Sequence, residues 1–406
     1  MLMFGHLLLL CAILGLLSCT GFLFLLAAAF VRFGRRPLPQ ISPPRWPSVS
    51  LLKPLHGLEP ELEQNLESFF CQDYPHYEIV FGCRQESDPA LDVVHAVRCR
   101  HPQIPVRIVL SGEPDHPNAK VCSLEKMAAA ATADYLVVSD SDVQVTPQYL
   151  REVTRPLLQP EVGMVTCLYR GVPSSGLWSR LEALGMSVEM TAGVVVADML
   201  EGLKFALGPT MAIRRDVLEQ AGGFRVLADY CADDFVLGQR VFEAGKQVVL
   251  SHYVVDHIAL HQRCAASLQH QVRWMKSTRF SRPKGHIGTG LTFAMPFGLM
   301  GLAAGFAIGD PLLGLALFLF AALNRMAEAM LAGWGVVRDP LALRYFWLYP
   351  ARDLLGFFLW CASFASTSIV WRGERYELQM GGKMVRIGAT GELAQASETV
   401  AVDELA

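Results

Sequence analysis

From residue 7 to residue 31 the chain is an almost unbroken apolar run, and that run restricts every fold open to it. An α-helix rises about 1.5 Å per residue, so a run of this length crosses a hydrocarbon core of about 30 Å. Residues 1–6 contain no Lys or Arg, whereas Arg32, Arg35 and Arg36 come after the run. A cleaved secretory signal carries its positive charge before the apolar stretch. The order here is reversed and the run is long, so it reads as a retained anchor rather than a signal cut near Ala27-Ala28-Ala29. The positive-inside rule then places the arginines, and the chain beyond them, in the cytosol. Composition points the same way. Charged residues make up 18% and apolar residues 52% of the chain, against about 25% charged in soluble domains.

Apolar sequence returns near residue 287. Segments 287–308, 312–337 and 354–371 each read as long enough to span. Arg325 and Glu328 stand at i and i+3 on the second of these, where they pair across one helical turn. Tyr345, Trp347 and Tyr349, with Arg352 and Asp353 after them, mark an interfacial stretch before the third. Three crossings carry the tail outside, yet Arg372, Arg375, Lys383 and Arg386 favour the inside. One C-terminal segment is therefore expected to be re-entrant or interfacial. The residues from Gly391 onward are expected to be disordered.

Between these hydrophobic ends the texture changes. Pro37, Pro39, Pro43, Pro44 and Pro47 predict a stiff spacer. Short apolar runs at 49–52, 78–83, 106–110 and 135–139 predict buried strands. Helical patterns fall between them, at 60–70, 89–100 and 121–131. In the first, Leu62, Leu66, Phe69 and Phe70 share one face. Alternation of strand and helix predicts an α/β domain with a mostly parallel sheet covered on both faces. Ligands in such sheets bind beyond the carboxyl ends of the strands. A net charge of -3 supplies no basic field for nucleic acid. The ten cysteines form no Cys-x-x-Cys pair, which suits reduced thiols in a cytosolic compartment.

Several groups with chemical potential come after the strands. Asp88, before Pro89, has the position of a helix N-cap and also that of a carboxylate able to accept hydrogen bonds from a nucleobase. Asp140-Ser141-Asp142 places two carboxylates at a strand end. They suit a Mg²⁺ or Mn²⁺ ion that completes its shell with phosphate oxygens, and an Asp-rich turn is the plainer account. Asp233-Asp234 opens a helical pattern; adjacent acids are costly unless a cation, a proton or solvent compensates, and the helix dipole also favours them there. His270-Gln271-Val272-Arg273-Trp274 precedes Lys276, Arg279, Arg282 and Lys284. Arg273 suits a leaving diphosphate and Trp274 an apolar wall. The later cations read equally as a basic helix on anionic lipid. Lys120, after Asn118-Ala119, opens a helix where phosphates can be met.

These stations, in this order, resemble the ceramide glucosyltransferase family and its relatives among inverting GT-A glycosyltransferases. Val49-Ser50-Leu51-Leu52-Lys53-Pro54-Leu55-His56-Gly57 is similar to that family's first strand and loop. Phe69-Phe70-Cys71-Gln72-Asp73-Tyr74-Pro75, Gly208-Pro209-Thr210-Met211 and Ala221-Gly222-Gly223-Phe224 are similar as well. The resemblance implies a GT-A catalytic domain. It implies Asp88 near the nucleotide base, and Asp140, joined by Asp142, at the metal. It implies Asp234 as general base, with Arg273 and Trp274 as the Arg-Trp pair; beside these, Lys120 and His270 are read from their positions as lining the nucleotide-sugar site. Polymer-forming relatives carry Gln where His270 stands, which counts against a processive polysaccharide synthase.

The resemblance thus implies transfer of glucose from UDP-glucose to ceramide with Mg²⁺ or Mn²⁺. Val165-Thr166-Cys167-Leu168-Tyr169-Arg170-Gly171 is also similar to a bacterial sister group acting on hopanoids, for which UDP-N-acetylglucosamine is the alternative donor, so the acceptor stays open. A non-catalytic membrane scaffold has no need of acids after strands. The expected organisation is an anchor with its basic flank at 1–36 and a spacer at 37–47. A cytosolic catalytic domain comes next at 48–266, then an interfacial basic helix at 267–286, a membrane bundle at 287–371 and a tail at 372–406.

Overall fold

The computed structural model describes residues 2–37, 41, 43–260, 263–371 and 374–387. The expected tail beyond Gly391, Arg372, and residues 38–40 and 42 of the spacer lie outside them. The end of the spacer docks on the domain: Trp46 meets the edge of Tyr74, whose hydroxyl donates to the Pro47 carbonyl at 2.7 Å.

The apolar runs do form strands. They are β1 (Val49–Pro54), β2 (Tyr77–Cys83), β3 (Val106–Leu110) and β4 (Tyr135–Val138), then β5 (Val143–Gln144), β6 (Val162–Pro173), β7 (Met211–Arg214) and β8 (Gln247–Ala259). They build an eight-stranded sheet in the order β3-β2-β1-β4-β7-β6-β8-β5. Pairings β1–β2, β2–β3, β1–β4 and β6–β8 are parallel, while β7 runs antiparallel to both β4 and β6. The register Val138↔Met211 brings the start of β7 to the same edge as the end of β4. Every residue of β2 is buried, as continuous apolar strands covered on both faces require.

Helices α1 (Leu2–Arg35), α2 (Leu62–Phe70), α3 (Ala90–Arg100), α4 (Ala119–Ala130) and α5 (Tyr149–Thr154) come first. Asn118 caps α4, its side chain accepting from Lys120 N and Val121 N. Next are α6 (Gly176–Gly185) and α7 (Thr191–Glu201), joined by a wide π turn into one rod. Then come α8 (Arg215–Gln220), α9 (Asp233–Glu243), α10 (Cys264–Ser281), α11 (Pro283–Gly290), α12 (Met295–Ile308), α13 (Pro311–Glu328), α14 (Pro340–Tyr345) and α15 (Tyr349–Ala362).

Among the described residues, four rods are long and apolar enough to cross a membrane: Leu2–Arg35, Gly176–Glu201, Pro283–Ile308 and Pro311–Val336. Glycines let them approach. A Cβ on Gly305 would lie 2.6 Å from the Gly314 backbone, so α12 and α13 touch main chain to main chain. A Cβ on Gly15 of α1 would strike the Phe297 ring at 2.2 Å. The α6–α7 rod was not foreseen as a candidate span. Most of it is buried, and Asp198 pairs with Arg36 and Glu189 with Arg352, the latter at 3.0 Å.

The third C-terminal span expected at 354–371 is corrected. Helix α15 has 14 residues, about 21 Å, too short for the hydrocarbon core. The chain then forms strands β9 (Ser368–Trp371), β10 (Glu374–Leu378) and β11 (Met384–Arg386) in an antiparallel sheet. That sheet bonds to residues 229–231 of the catalytic domain, with Met384 N donating to Asp229 O and Cys231 N to Gly382 O. The described part of the tail therefore packs on the domain that holds the eight-stranded sheet. Arg325 and Glu328 do pair, with Asp353 as a second partner at 3.4 Å.

Candidate active site

The end of β4, the start of β7 and the openings of α4 and α9 converge at one edge of the sheet. Asp140 comes directly after β4, and its Oδ1 accepts from Lys120 Nζ at 2.7 Å. The same ammonium lies 3.7 Å from Asp233 Oδ2. Opposite them is Gly208. A Cβ there would stand 3.2 Å from Asp234 Oδ2 and 3.4 Å from Asp140 Oδ2. Carboxylates from two distant segments thus meet at Gly208, where a methyl group would press on both.

The electrostatics are dominated by burial. Burial first, and the neighbouring Asp233 second, push Asp234 up from 3.8 to about 7. Burial also raises Asp140 against the pull of Lys120. Burial works against ionisation of Asp142 too, but the charge and hydrogen bond of His257, with Lys53, outweigh it and hold that carboxyl below its ordinary value. Asp142 Oδ2 is 3.2 Å from His257 Nε2, while its Oδ1 is buried without a hydrogen-bond partner among the described residues.

Sequence reasoning missed four of these groups. Lys53, on β1 and fully buried, donates to the Asp140 carbonyl and lies 3.6 Å above the Phe69 ring. Burial pushes its ammonium down to about 7. Glu59, in the loop after β1, is pushed up to about 7, first by burial and then by Asp142. His257, on β8, faces Asp142 and packs against Tyr169 at 5.2 Å. Glu182, on α6, is 1% exposed and meets His270 Nδ1 at 2.8 Å and the Ser267 hydroxyl. Lys53 lies within the Val49–Gly57 stretch quoted above without being singled out there, and the other three belong to no short motif. Alternation along β8 was the available signal for His257, since Val255 and His257 share one face.

The expected residues sort into three places. Lys120, Asp140, Asp233 and Asp234 are brought together. Asp142, Trp274 and His270 form, with the unforeseen His257, a continuous layer beside them; Trp274 is 6.3 Å from the His257 ring and 4.4 Å from His270. Asp88 and Arg273 make other contacts. Asp88 Oδ1 accepts from Ala90 N at 2.9 Å and from Gly57 N at 3.0 Å, so it caps α3 and anchors the loop after β1. Arg273 lies 5.7 Å over the Trp371 ring, with the Cys231 thiol beside it. The basic run after it is largely engaged: Lys276 donates to Ser368 O, Arg279 to Ser363 O and Arg282 to Glu201. At those three positions the cations have partners within the protein.

Two other groups combine possible metal ligands among the described residues, Glu67/Cys71/His101 and Asp115/His116/Cys122. In the first, Glu67 is taken up by Arg100 and His101; in the second, Asp115 meets His116 and Arg225. For the Asp140–Asp142 pair, the buried Asp142 Oδ1 with no hydrogen-bond partner among the described residues fits a hard cation with oxygen ligands.

Comparison with known proteins gives this geometry a context. The profile of Glycosyl transferase family 21 matches residues 10–384. Ceramide glucosyltransferase 1 of Caenorhabditis elegans is 24% identical over 354 residues, covering 84% of this chain and 74% of that one. A ceramide glucosyltransferase of Komagataella phaffii is 39% identical over 115 residues, covering 27% of this chain and 22% of that one. Among solved structures, the mannosyltransferase PcManGT of Pyrobaculum calidifontis, determined with GDP-Man and Mn²⁺, is similar with a TM-score of 0.51 at 20% identity. The match covers 86% of this chain and 99% of that chain, and it bears on the fold, which is of GT-A type. With nearly the whole chain inside the family profile, this protein is a glycosyltransferase and belongs to glycosyl transferase family 21.

Proposed function

We propose that this glycosyltransferase moves glucose from UDP-glucose to the primary hydroxyl of ceramide, with inversion at the anomeric carbon. The observation that carries the reading is the pair of carboxylates, Asp140 and Asp234, that meet at Gly208, with Lys120 between Asp140 and Asp233. The names of the curated relatives supply the acceptor and the sugar. Lys276 and Arg279 hold the C-terminal segment in place, and the apolar rods suit an acceptor drawn from a membrane.

Asp140 and Asp142 would hold a Mg²⁺ or Mn²⁺ ion, which when bound neutralises charge on the diphosphate. The chain's own groups do the rest. Lys120 is a partly exposed cation beside the acids, able to turn from Asp140 toward a phosphate oxygen. An inverting displacement needs a base for the acceptor proton. Asp234 fits, because a carboxyl raised to about 7 accepts a proton at neutral pH far better than an ordinary one. Asp140, tied to Lys120, is less available. Trp274 and the His257 ring form the wall between the acids and α6. Asp88, held by Gly57 and Ala90 amides, retains lone pairs for a nucleobase, and Arg273 would face the departing diphosphate. A cytosolic site accords with the arginines after α1 and with a cytosolic nucleotide sugar.

The test is incubation of the full chain in detergent with UDP-glucose, ceramide and Mg²⁺ or Mn²⁺. Glucosylceramide is the expected product. Transfer to a hopanoid but not to ceramide would overturn the acceptor assignment.

A further inference from the structure

Sugar transfer as assigned to the acids and to Arg273 leaves the C-terminal sheet unused. It has its own small core, separate from that of the catalytic domain: Ile369, Tyr376, Leu378 and Met384 close on Cys231 and Phe280. Those last two belong to the catalytic side, Cys231 just before α9 and Phe280 on α10.

The sheet also bonds both elements through the main chain. Gly382 O accepts from Cys231 N at 3.2 Å, Met384 N donates to Asp229 O at 2.6 Å, and Gly381 N donates to Phe280 O at 3.0 Å. Tyr230 and Lys383 form an antiparallel bridge. The turn that makes this possible needs glycine. Gly381 and Gly382 have φ of +87° and +86°, and a Cβ on Gly382 would lie 2.5 Å from Ser281 Oγ.

One face of α10 is covered at successive turns. Arg273 rests over Trp371, Lys276 donates to Ser366 Oγ at 2.6 Å and to Ser368 O at 2.7 Å, and Arg279 donates to Ser363 O at 2.7 Å. The other side of the loop is held by Asn118, the cap of α4. Its backbone N–H donates to Ala228 O and its side-chain amide to Tyr230 O, both at 2.9 Å. The segment leading into Asp233-Asp234 is thus gripped between the helix cap that carries Lys120 and the C-terminal turn.

We propose that the C-terminal sheet is a positioning element of the active site, a clamp that fixes the loop before Asp233-Asp234 against α4 and sets the place of Arg273 on α10. Trp371 and the Gly381-Gly382 turn are its working parts. They act through Arg273 and the 228–231 loop. The clamp explains why the chain returns to the catalytic domain after its last membrane-length helix. It rests on the proposed assignment of Asp234 and Arg273 to sugar transfer.

The test compares Trp371→Ala, Trp371→Phe and Tyr376→Ala in the full chain, in detergent, with UDP-glucose and ceramide. Displacing a reacting group by about 1 Å costs on the order of a hundredfold in rate. Trp371→Ala and Tyr376→Ala are expected to lower kcat at least about tenfold, with KM for UDP-glucose held within about twofold. Trp371→Phe, which keeps an aromatic face under Arg273, restores most of the rate. Amide hydrogen exchange then speeds up at 228–235 and along α10, while β1, β2 and β4 keep their protection.

Wild-type kcat in both alanine variants with unchanged exchange at 228–235 overturns the clamp. So does a rise in KM alone, or a uniform loss of protection across the catalytic sheet, which is the signature of a merely structural part. The exchange arm needs no substrate. Wild-type protein inactive on UDP-glucose and ceramide therefore overturns the substrate assignment, and exchange at 228–235 still decides for or against the clamp.

Discussion

Replacing Asp234 by Asn separates base catalysis from binding. Asn keeps the shape and retains an oxygen for the Phe235 amide, which Asp234 Oδ1 accepts at 2.8 Å. It loses the ability to take a proton. Loss of a general base costs roughly a hundredfold to ten-thousandfold in rate, or about 3–5 kcal/mol of barrier. The substitution also removes one of two adjacent buried acids, so the folded state gains rather than loses. A carboxyl raised from 3.8 to about 7 contributes stability below pH 4 that is lost as pH rises through about 7. Asp234→Asn, which does not ionise, is therefore expected to have an equal or higher Tm above pH 7. The assay is initial rate of glucosylceramide formation beside UDP-glucose affinity by titration. Transfer should fall at least about a hundredfold with donor affinity nearly unchanged, and Asp233→Asn should be milder. Normal transfer by Asp234→Asn, or greater damage from Asp233→Asn, refutes the reasoning.

The same site makes three more outcomes testable. In wild-type protein kcat/KM should rise with pH through about 7, as the raised Asp234 carboxyl gives up its proton, and a flat profile from pH 5 to 8 would count against it. Gly208→Ala sets a methyl 3.2 Å from Asp234 Oδ2 and 3.4 Å from Asp140 Oδ2. It should lower transfer by about tenfold or more while leaving Tm within a few degrees, because the crowding is confined to the cradle. Chelation of divalent cations should abolish turnover, and Asp142→Asn should weaken UDP-glucose binding measured by titration in the presence of Mn²⁺; full activity in chelator excludes the metal role.

Much of the catalytic sheet was legible because its strands are continuous apolar runs between helical patterns. Segment 106–110 coincides with β3, and 135–139 overlaps β4, so Asp140 could be set at a strand end from the sequence alone. Segments held by distant contacts were harder to read. The last apolar stretch, at 354–371, looks like a span by composition. Its helix ends at Ala362 because Ser363, Ser366 and Ser368 are held by Arg279 and Lys276 of α10, and the rest enters a sheet. The α6–α7 rod was overlooked because Glu182, Glu189 and Asp198 interrupt its apolar texture. Those acids are tolerated because His270, Arg352 and Arg36 meet them from elements far along the chain. His257 carries no local signal beyond strand alternation and Lys53 none beyond the stretch that contains it, and their place beside the Asp pair is made by the pairing of β8 and β1 with their neighbours.

The central claim is inverting transfer from a nucleotide sugar to a membrane lipid, and the linkage of the product tests it most directly. Purified full-length protein would be incubated with UDP-glucose, ceramide and Mn²⁺, and the lipid product resolved by mass and by the NMR coupling of its anomeric proton. The account predicts glucosylceramide with a β-linkage, opposite to the α-linkage of the donor. A product with retained α-configuration, or no glucosylated ceramide while UDP-glucose is bound, would contradict it.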